Sequence, residues 1–317
     1  MDLSFTEEQV ALRDLARQVF TGMATTERLK EIEAEPDRID RVLWAELARG
    51  GFLELDDLLD ICVLLEEQGR AVAPVPLWPT LVARLAADGR DLPADAVLSV
   101  ALPSEDPSTA LVPAAFVSSF IVAPKDDGLV LVDASAAPLE RGTLTSGDPV
   151  ARLRILGDLQ GEPLEHDASW LLQRATLALC ALQVGVAQRQ IEITAAYVGE
   201  REQFDRPLGS FQAVQQRLAD AYIDVQAMRW TMWQAGWKLG EGLPASEEVA
   251  IAKFWASDAG ARVSAAAQHL HGGIGVDVEY PLYRYTLWSK QNELLLGSAT
   301  RQLSTLGAAL AAGGGPA

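Results

Sequence analysis

Cysteine is scarce in this 317-residue chain: Cys62 and Cys180 are all it has, and no CxxC pair exists. Both sit in apolar helical patterns, so they read as small buried hydrophobes in a reducing compartment rather than a disulfide framework. Basic residues are also few. The chain carries 26 Lys and Arg against 44 Asp and Glu, a formal charge of −18. That field repels nucleic acid and anionic membranes and excludes both as broad partners. It leaves room for an anionic cofactor held in a local basic pocket. A run of about 18 uncharged apolar residues is missing, so no membrane span is expected. The opening Met1-Asp2-Leu3-Ser4-Phe5 lacks the basic and apolar segments of a secretory signal. A cytoplasmic location is the expectation.

What is present is 49% hydrophobic residues, enough for a sizeable interior shared by two or three structural units. Residues 1–91 read as an N-terminal helical domain. Thr6 with Gln9 forms a capping box, and Leu12, Leu15, Ala16, Val19 and Phe20 follow at helical spacing. Further helices are expected around Trp44 to Leu47, ending at Gly50-Gly51, and over Leu55 to Arg70. Pro74, Pro76 and Pro79 then break the chain. Residues 92–165 change character. Leu98 to Leu102, Ala115 to Val122 and Leu129 to Val132 are short β-like runs separated by prolines and by the turn Asp126-Asp127-Gly128. This reduced middle β domain is small for an independent barrel. Residues 166–312 predict helices near 169–200, 210–239, 245–270 and 280–311, joined by short links as in an antiparallel four-helix bundle. Residues 313–317 read as a flexible tail. The fold class is mainly α with a small central β region.

Several motifs stand within and around that bundle. Upstream are Thr6-Glu7-Glu8-Gln9 and Leu65-Glu66-Glu67-Gln68-Gly69-Arg70. Then come Gly185-Val186-Ala187, Arg201-Glu202-Gln203-Phe204, and Arg206-Pro207-Leu208-Gly209-Ser210-Phe211. Gly272-Gly273-Ile274-Gly275, Glu279-Tyr280-Pro281, Lys290 and Gly297 close the series. In this order, and with helix, short β and bundle in succession, they resemble the acyl-CoA dehydrogenase family of flavoenzymes. The resemblance covers most of the chain and is specific over about 185–300.

The residues themselves suit a dinucleotide. Arg201 follows a helix end and offers a cationic fork for pyrophosphate oxygen. Gln203 can donate to the same group, and Phe204 presents an apolar ring. Gly272, Gly273 and Gly275 permit close backbone approach. The resemblance implies that these residues reach across a subunit interface to FAD bound mainly by a neighbour. Where the family usually has a glutamine before the glycines, this chain has His269 with Gln268 beside it. His271 reads as a satisfied loop histidine; no carboxylate or thiolate accompanies it at ligand spacing, and a metal site is unsupported.

The resemblance also exposes what is missing. The family's catalytic glutamate most often stands where this chain has Leu296, and the alternative position for that base corresponds to Ala175. Glu293, three residues before Leu296, is the fallback candidate. The family's flavin-covering signature has only Leu102-Pro103-Ser104-Glu105-Asp106 as a remnant. Leu287-Trp288 replace a common Arg-Asp pair, which suits a reshaped subunit contact. The expectation is a subunit with no catalytic residue of its own, in a heteromeric FAD-dependent acyl-CoA dehydrogenase of α2β2 type. It would lend its clamp to a full-length paralogue that carries the glutamate and binds most of the acyl-CoA, a thioester of sterol origin by the same resemblance. Two alternatives stay open: a self-sufficient enzyme with a relocated base, and a redox-dead scaffold subunit.

Overall fold

The structure is a computed structural model that describes residues 4–155 and 159–313. Helix α1 (Glu7–Met23) starts at the capping box: the Gln9 amide donates to Thr6 Oγ1 at 3.1 Å, and the Thr6 amide donates to Gln9 Oε1 at 3.2 Å. α2 (Thr26–Glu33), α3 (Arg41–Arg49), α4 (Leu58–Ala71) and α5 (Leu77–Ala86) follow. The helix α5 was not expected, because three prolines precede or enter it. Pro79 sits in its first turn, where no intrahelical partner is lost.

Among the described residues eight short strands come next: β1 (Leu98–Val100), β2 (Leu102–Pro103), β3 (Thr109–Pro113), β4 (Phe120–Lys125), β5 (Gly128–Asp133), β6 (Leu139–Thr143), β7 (Pro149–Arg154) and β8 (Glu162–Leu164). They form two four-stranded sheets, ordered β1-β4-β5-β8 and β2-β3-β7-β6. Among these pairings only β1 with β4 is parallel. Ala101, Ala110, Val112, Ile121, Val130 and Leu153, drawn from both sheets, share one small core. The Asp126-Asp127 turn joins β4 to β5 as expected, with Lys125 opposite Gly128. The apolar run from Ala115 begins as a turn rather than a strand, since Ala114 has a left-handed backbone there.

The remaining elements are α6 (Ala168–Glu200), a hairpin of β9 (Glu202–Gln203) and β10 (Arg206–Pro207), α7 (Gln212–Gly240), α8 (Ser246–His271), α9 (Leu282–Leu294) and α10 (Ala299–Ala311). The single helix expected over 280–311 is therefore two. Leu295 leaves the helix in an extended conformation, and Leu296 and Gly297 adopt φ of 59° and 93°. α6 is the axis of the molecule, buried at every position from Ala175 to Ala187. It is long and apolar enough to cross a membrane, yet most of that stretch is enclosed by its own neighbours. Its crossing with α4 brings backbone against backbone. A Cβ on Gly185 would lie 1.9 Å from the Glu66 carbonyl, and one on Gly69 would lie 2.1 Å from the Leu182 carbonyl.

Candidate functional site

The expected clamp residues cluster around the C-terminal ends of α6 and α8. Arg201 caps α6, its amide donating to the Tyr197 carbonyl at 2.8 Å. One turn earlier Tyr197 stacks on His271 with ring centroids 4.3 Å apart, and both rings meet Tyr280. That aromatic stack fastens the end of α6 to the glycine loop at 272–276. His271 is satisfied on both nitrogens, facing the Ala267 carbonyl at 2.8 Å and the Tyr280 hydroxyl at 3.1 Å, and burial pushes its pKa down. Tyr280 was legible within Glu279-Tyr280-Pro281, but nothing in one-dimensional spacing assigned it this fastening role with Tyr197.

The hairpin after Arg201 is strained. Its two central residues, Phe204 and Asp205, have φ of 55° and 61°, the double left-handed pair of a type I′ turn normally filled by Asn-Gly. A bulky ring in that conformation is costly. What the turn achieves is display: Phe204 is 86% exposed. Arg206 lies against Phe211, its guanidinium carbon 3.9 Å from the ring centroid, and stiffens the hairpin base. The Arg201 side chain is exposed and, among the described residues, has no ion-pair partner. Gln203 turns its amide back to the Glu202 carbonyl at 2.8 Å.

In the loop, Gly272 has φ of 62°, and nothing lies within 4 Å of a Cβ built at Gly272 or Gly273. Both are exposed, so their backbone can be approached closely. His269 is exposed beside them. Gln268 is half-buried and spends its amide hydrogens inside the chain, on the Gly275 carbonyl at 2.9 Å and Thr286 Oγ1 at 2.7 Å. Of the neighbouring pair, His269 is thus the side chain free to meet a ligand, and Gln268 shapes the loop.

Leu296 stands at a separate place. It lines a cleft of about 830 Å³ together with the Leu102-to-Asp106 remnant, Thr176 in the N-terminal part of α6, Gly297 and Arg301. Two carboxylates, Glu105 and Asp106, also line it, and both are exposed. Hydrogen bonds from the Ser108 hydroxyl and amide hold the Asp106 carboxyl below the usual range, the opposite of what a proton acceptor near neutrality needs. Glu293 does not line the cleft. Its carboxylate pairs with Lys290 on the same helix. Ala175, the alternative base position, is buried and inert.

The region beneath α4 and α5 is nearly filled. Trp78, Leu182, Trp288 and Leu295 surround a void of about 70 Å³. Leu287 and Trp288 border a second void of about 100 Å³, and Trp288 packs on the buried core. Both side chains also keep part of their surface exposed. Cys62 and Cys180 are free and buried, and burial pushes the Cys180 thiol up to about 12.

Residues 166–311 match the acyl-CoA dehydrogenase C-terminal domain. Acyl-CoA dehydrogenase FadE27 of Mycobacterium tuberculosis is 33% identical, the alignment covering 98% of this chain and 99% of that protein. A chain of the ChsE4-ChsE5 complex from Mycobacterium tuberculosis superposes with a TM-score of 0.90 at 33% identity over 100% of both chains. A chain of the Tcur3481-Tcur3483 steroid ACAD G363A variant does so with a TM-score of 0.88 at 40% identity, covering 97% of this chain and 98% of that one. The chain belongs to the acyl-CoA dehydrogenase family.

Proposed function

We propose that this chain is the non-catalytic subunit of a heteromeric FAD-dependent acyl-CoA dehydrogenase, lending a cofactor clamp to a partner that carries the catalytic glutamate. One observation carries the reading: the position where a proton acceptor would face the substrate is an aliphatic Leu296, and the nearest alternatives, Ala175 and Glu293, are inert or turned away. Removing the α-proton of a thioester needs a partly desolvated carboxylate of raised pKa. None is placed for it beside Leu296 among the described residues.

The clamp residues fit a dinucleotide. Arg201 and Phe204 are exposed, and the Gly272-Gly273 backbone is open to close approach. FAD bound there would supply the hydride acceptor, while Arg201 would hold a pyrophosphate oxygen, Phe204 would cover an aromatic ring, and the glycine loop and His269 would border the adenosine end. Gln203 would have to leave the Glu202 carbonyl to join them. Thr176, in the cleft, lies near the start of α6, and Arg201 caps its far end. At the helical rise per residue the two stand roughly 38 Å apart. That is farther than an extended dinucleotide reaches, so the clamp and the chain's own cleft belong to different cofactor sites. The clamp is free to serve a neighbour.

The kind of partner follows from the relatives. The ChsE4-ChsE5 and Tcur3481-Tcur3483 structures each pair two different chains, and the latter is a steroid ACAD. By that likeness, we assign this chain a longer paralogue in an α2β2 assembly acting on a sterol-derived acyl-CoA. Co-expression with such a paralogue tests the clamp. Arg201→Ala should lower FAD occupancy of the purified complex at least tenfold under dilution, since losing a hydrogen bond to a charged group costs about 1.5–3 kcal/mol. Unchanged occupancy would refute the clamp role.

A further inference from the structure

Where α1, α2, α4, α6 and α9 meet, there is a cavity of about 330 Å³. Four arginines line it, Arg17, Arg70, Arg189 and Arg284, against a single carboxylate, Glu67. In a chain of net charge −18 such a concentration of guanidinium is unusual. Two further acids hold these arginines from outside the lining. Glu33 takes Arg284 Nε at 2.6 Å and Nη2 at 2.8 Å, and Glu192 takes Arg70 Nη1 at 2.8 Å and Nη2 at 2.9 Å. Glu67 likewise takes Arg17 Nε at 3.0 Å and Nη2 at 2.6 Å, and Glu192 takes Arg189 Nη1 at 3.2 Å, so each of the four guanidiniums is held in place by a carboxylate.

The floor and the mouth differ. Arg284 and Arg70 are 4% and 18% exposed, whereas Arg17 and Arg189 are 47% and 45% exposed. Arg284 forms part of this wall and of the wall of the neighbouring space of about 100 Å³, and among the described residues its buried Nη1 has no hydrogen-bond partner. An unsatisfied charged donor in the interior costs more than the ordinary loss of one hydrogen bond, so an acceptor that reached it through a small shift of Arg284 would gain. Phe20, Leu29 and Ile193 add apolar wall, and Thr25 and Thr26, at the N-terminus of α2, also line the cavity and bring the positive end of that helix to it. Preformed arginine forks held by carboxylates, hydroxyls and a helix N-terminus together suit a tetrahedral oxyanion.

We propose that this cavity binds a phosphoryl group, either as free phosphate or as the terminal phosphate of a small metabolite, independently of the FAD clamp. The test is calorimetric titration of the full-length chain at low ionic strength, with inorganic phosphate in one arm and glycerol 3-phosphate in the other. Saturable one-to-one binding is expected in at least one arm. Tighter binding of glycerol 3-phosphate identifies a phosphorylated metabolite, and equal or tighter binding of phosphate identifies the free anion. Arg189→Gln at the mouth should weaken that binding at least tenfold while leaving the thermal midpoint near that of the parent. Thr21→Asp, an exposed rim position, should weaken it comparably by placing a carboxylate beside the entrance. Absence of saturable binding in both arms overturns the proposal, as does binding that neither substitution alters. Because no partner or flavin enters the experiment, its failure leaves the clamp reading standing.

Discussion

Phe204 and Asp205 hold two consecutive left-handed conformations, and Leu296 holds a third. Such strain persists only where the surrounding structure enforces it, and it concentrates at functional sites. At Asp205 the strain serves the turn alone, so Asp205→Gly should raise the stability of the chain by about 0.5 kcal/mol and leave FAD retention unchanged. Phe204→Ser should do the reverse, lowering FAD retention in the complex without lowering the melting temperature. Denaturant unfolding and flavin absorbance after gel filtration read the two effects separately. Leu296→Glu would put a carboxylate into the cleft, yet on the proposed reading only Leu102 to Asp106 remains there of a flavin-covering strand. Dye-linked turnover by that single variant should therefore stay at the background of the parent, and a fully active homo-oligomer would refute this. The identity of these residues was legible in the sequence, because Arg201, Phe204, the glycines and Leu296 stand in a recognisable order. Their conformations were not. Left-handed backbone at a Phe or a Leu violates local propensity, and only the packing around it decides it.

Helices were legible where apolar periodicity and caps agree, as at Thr6 with Gln9 or along α6. α2 and α5 escaped notice for different reasons. α2 is eight residues long and strongly polar, and α5 begins among prolines that usually end helices. β6, largely exposed and carrying Glu140 and Arg141, had no alternating pattern to find. The contact of α4 with α6 is the least forgiving in the fold. Gly185→Ala would drive a methyl into the Glu66 carbonyl of α4, so it should destabilise the chain by about 3 kcal/mol or fail to yield soluble protein. Chemical denaturation, or the yield itself, reads this out.

Lys253 secures the break between α9 and α10. Fully buried on α8, it donates to the Asn292 carbonyl at 2.7 Å, the Glu293 carbonyl at 3.2 Å and Ser257 Oγ at 2.9 Å. Burial lowers its pKa to about 8, against an ordinary value of 10.5. Between those two values the unfolded chain holds a proton that the folded chain has released, so stability rises with pH across that window. The rise attributable to Lys253 from pH 8 to 10 should be about 2 kcal/mol. Lys253→Met removes the titration. Urea unfolding of both proteins at the two pH values should show the parent gaining on the variant as pH increases, and parallel behaviour would contradict the assignment.

At the scale of the whole molecule, the losses and retentions divide along α6. Its N-terminal half adjoins the cleft lined by Leu296 and the Leu102-to-Asp106 segment, and its C-terminal end carries the proposed clamp. Near α4 and α5, Trp78 and Trp288 border two small pockets of about 70 and 100 Å³. A chain so divided is what the proposed subunit role requires: a clamp for a neighbour without a base for its own turnover. The order of the domains could be read from composition and motif succession. The length of α6 was legible as well, but the make-up of the cleft was not, because Leu102, Thr176, Leu296 and Arg301 meet only through packing.

That division is tested most directly by turnover of the purified chain with and without its paralogue. Given FAD and a sterol-derived acyl-CoA, the chain alone should neither retain flavin nor bleach the flavin band, while the co-purified complex should do both. Desaturation of the thioester by the isolated, flavin-loaded chain would contradict the account.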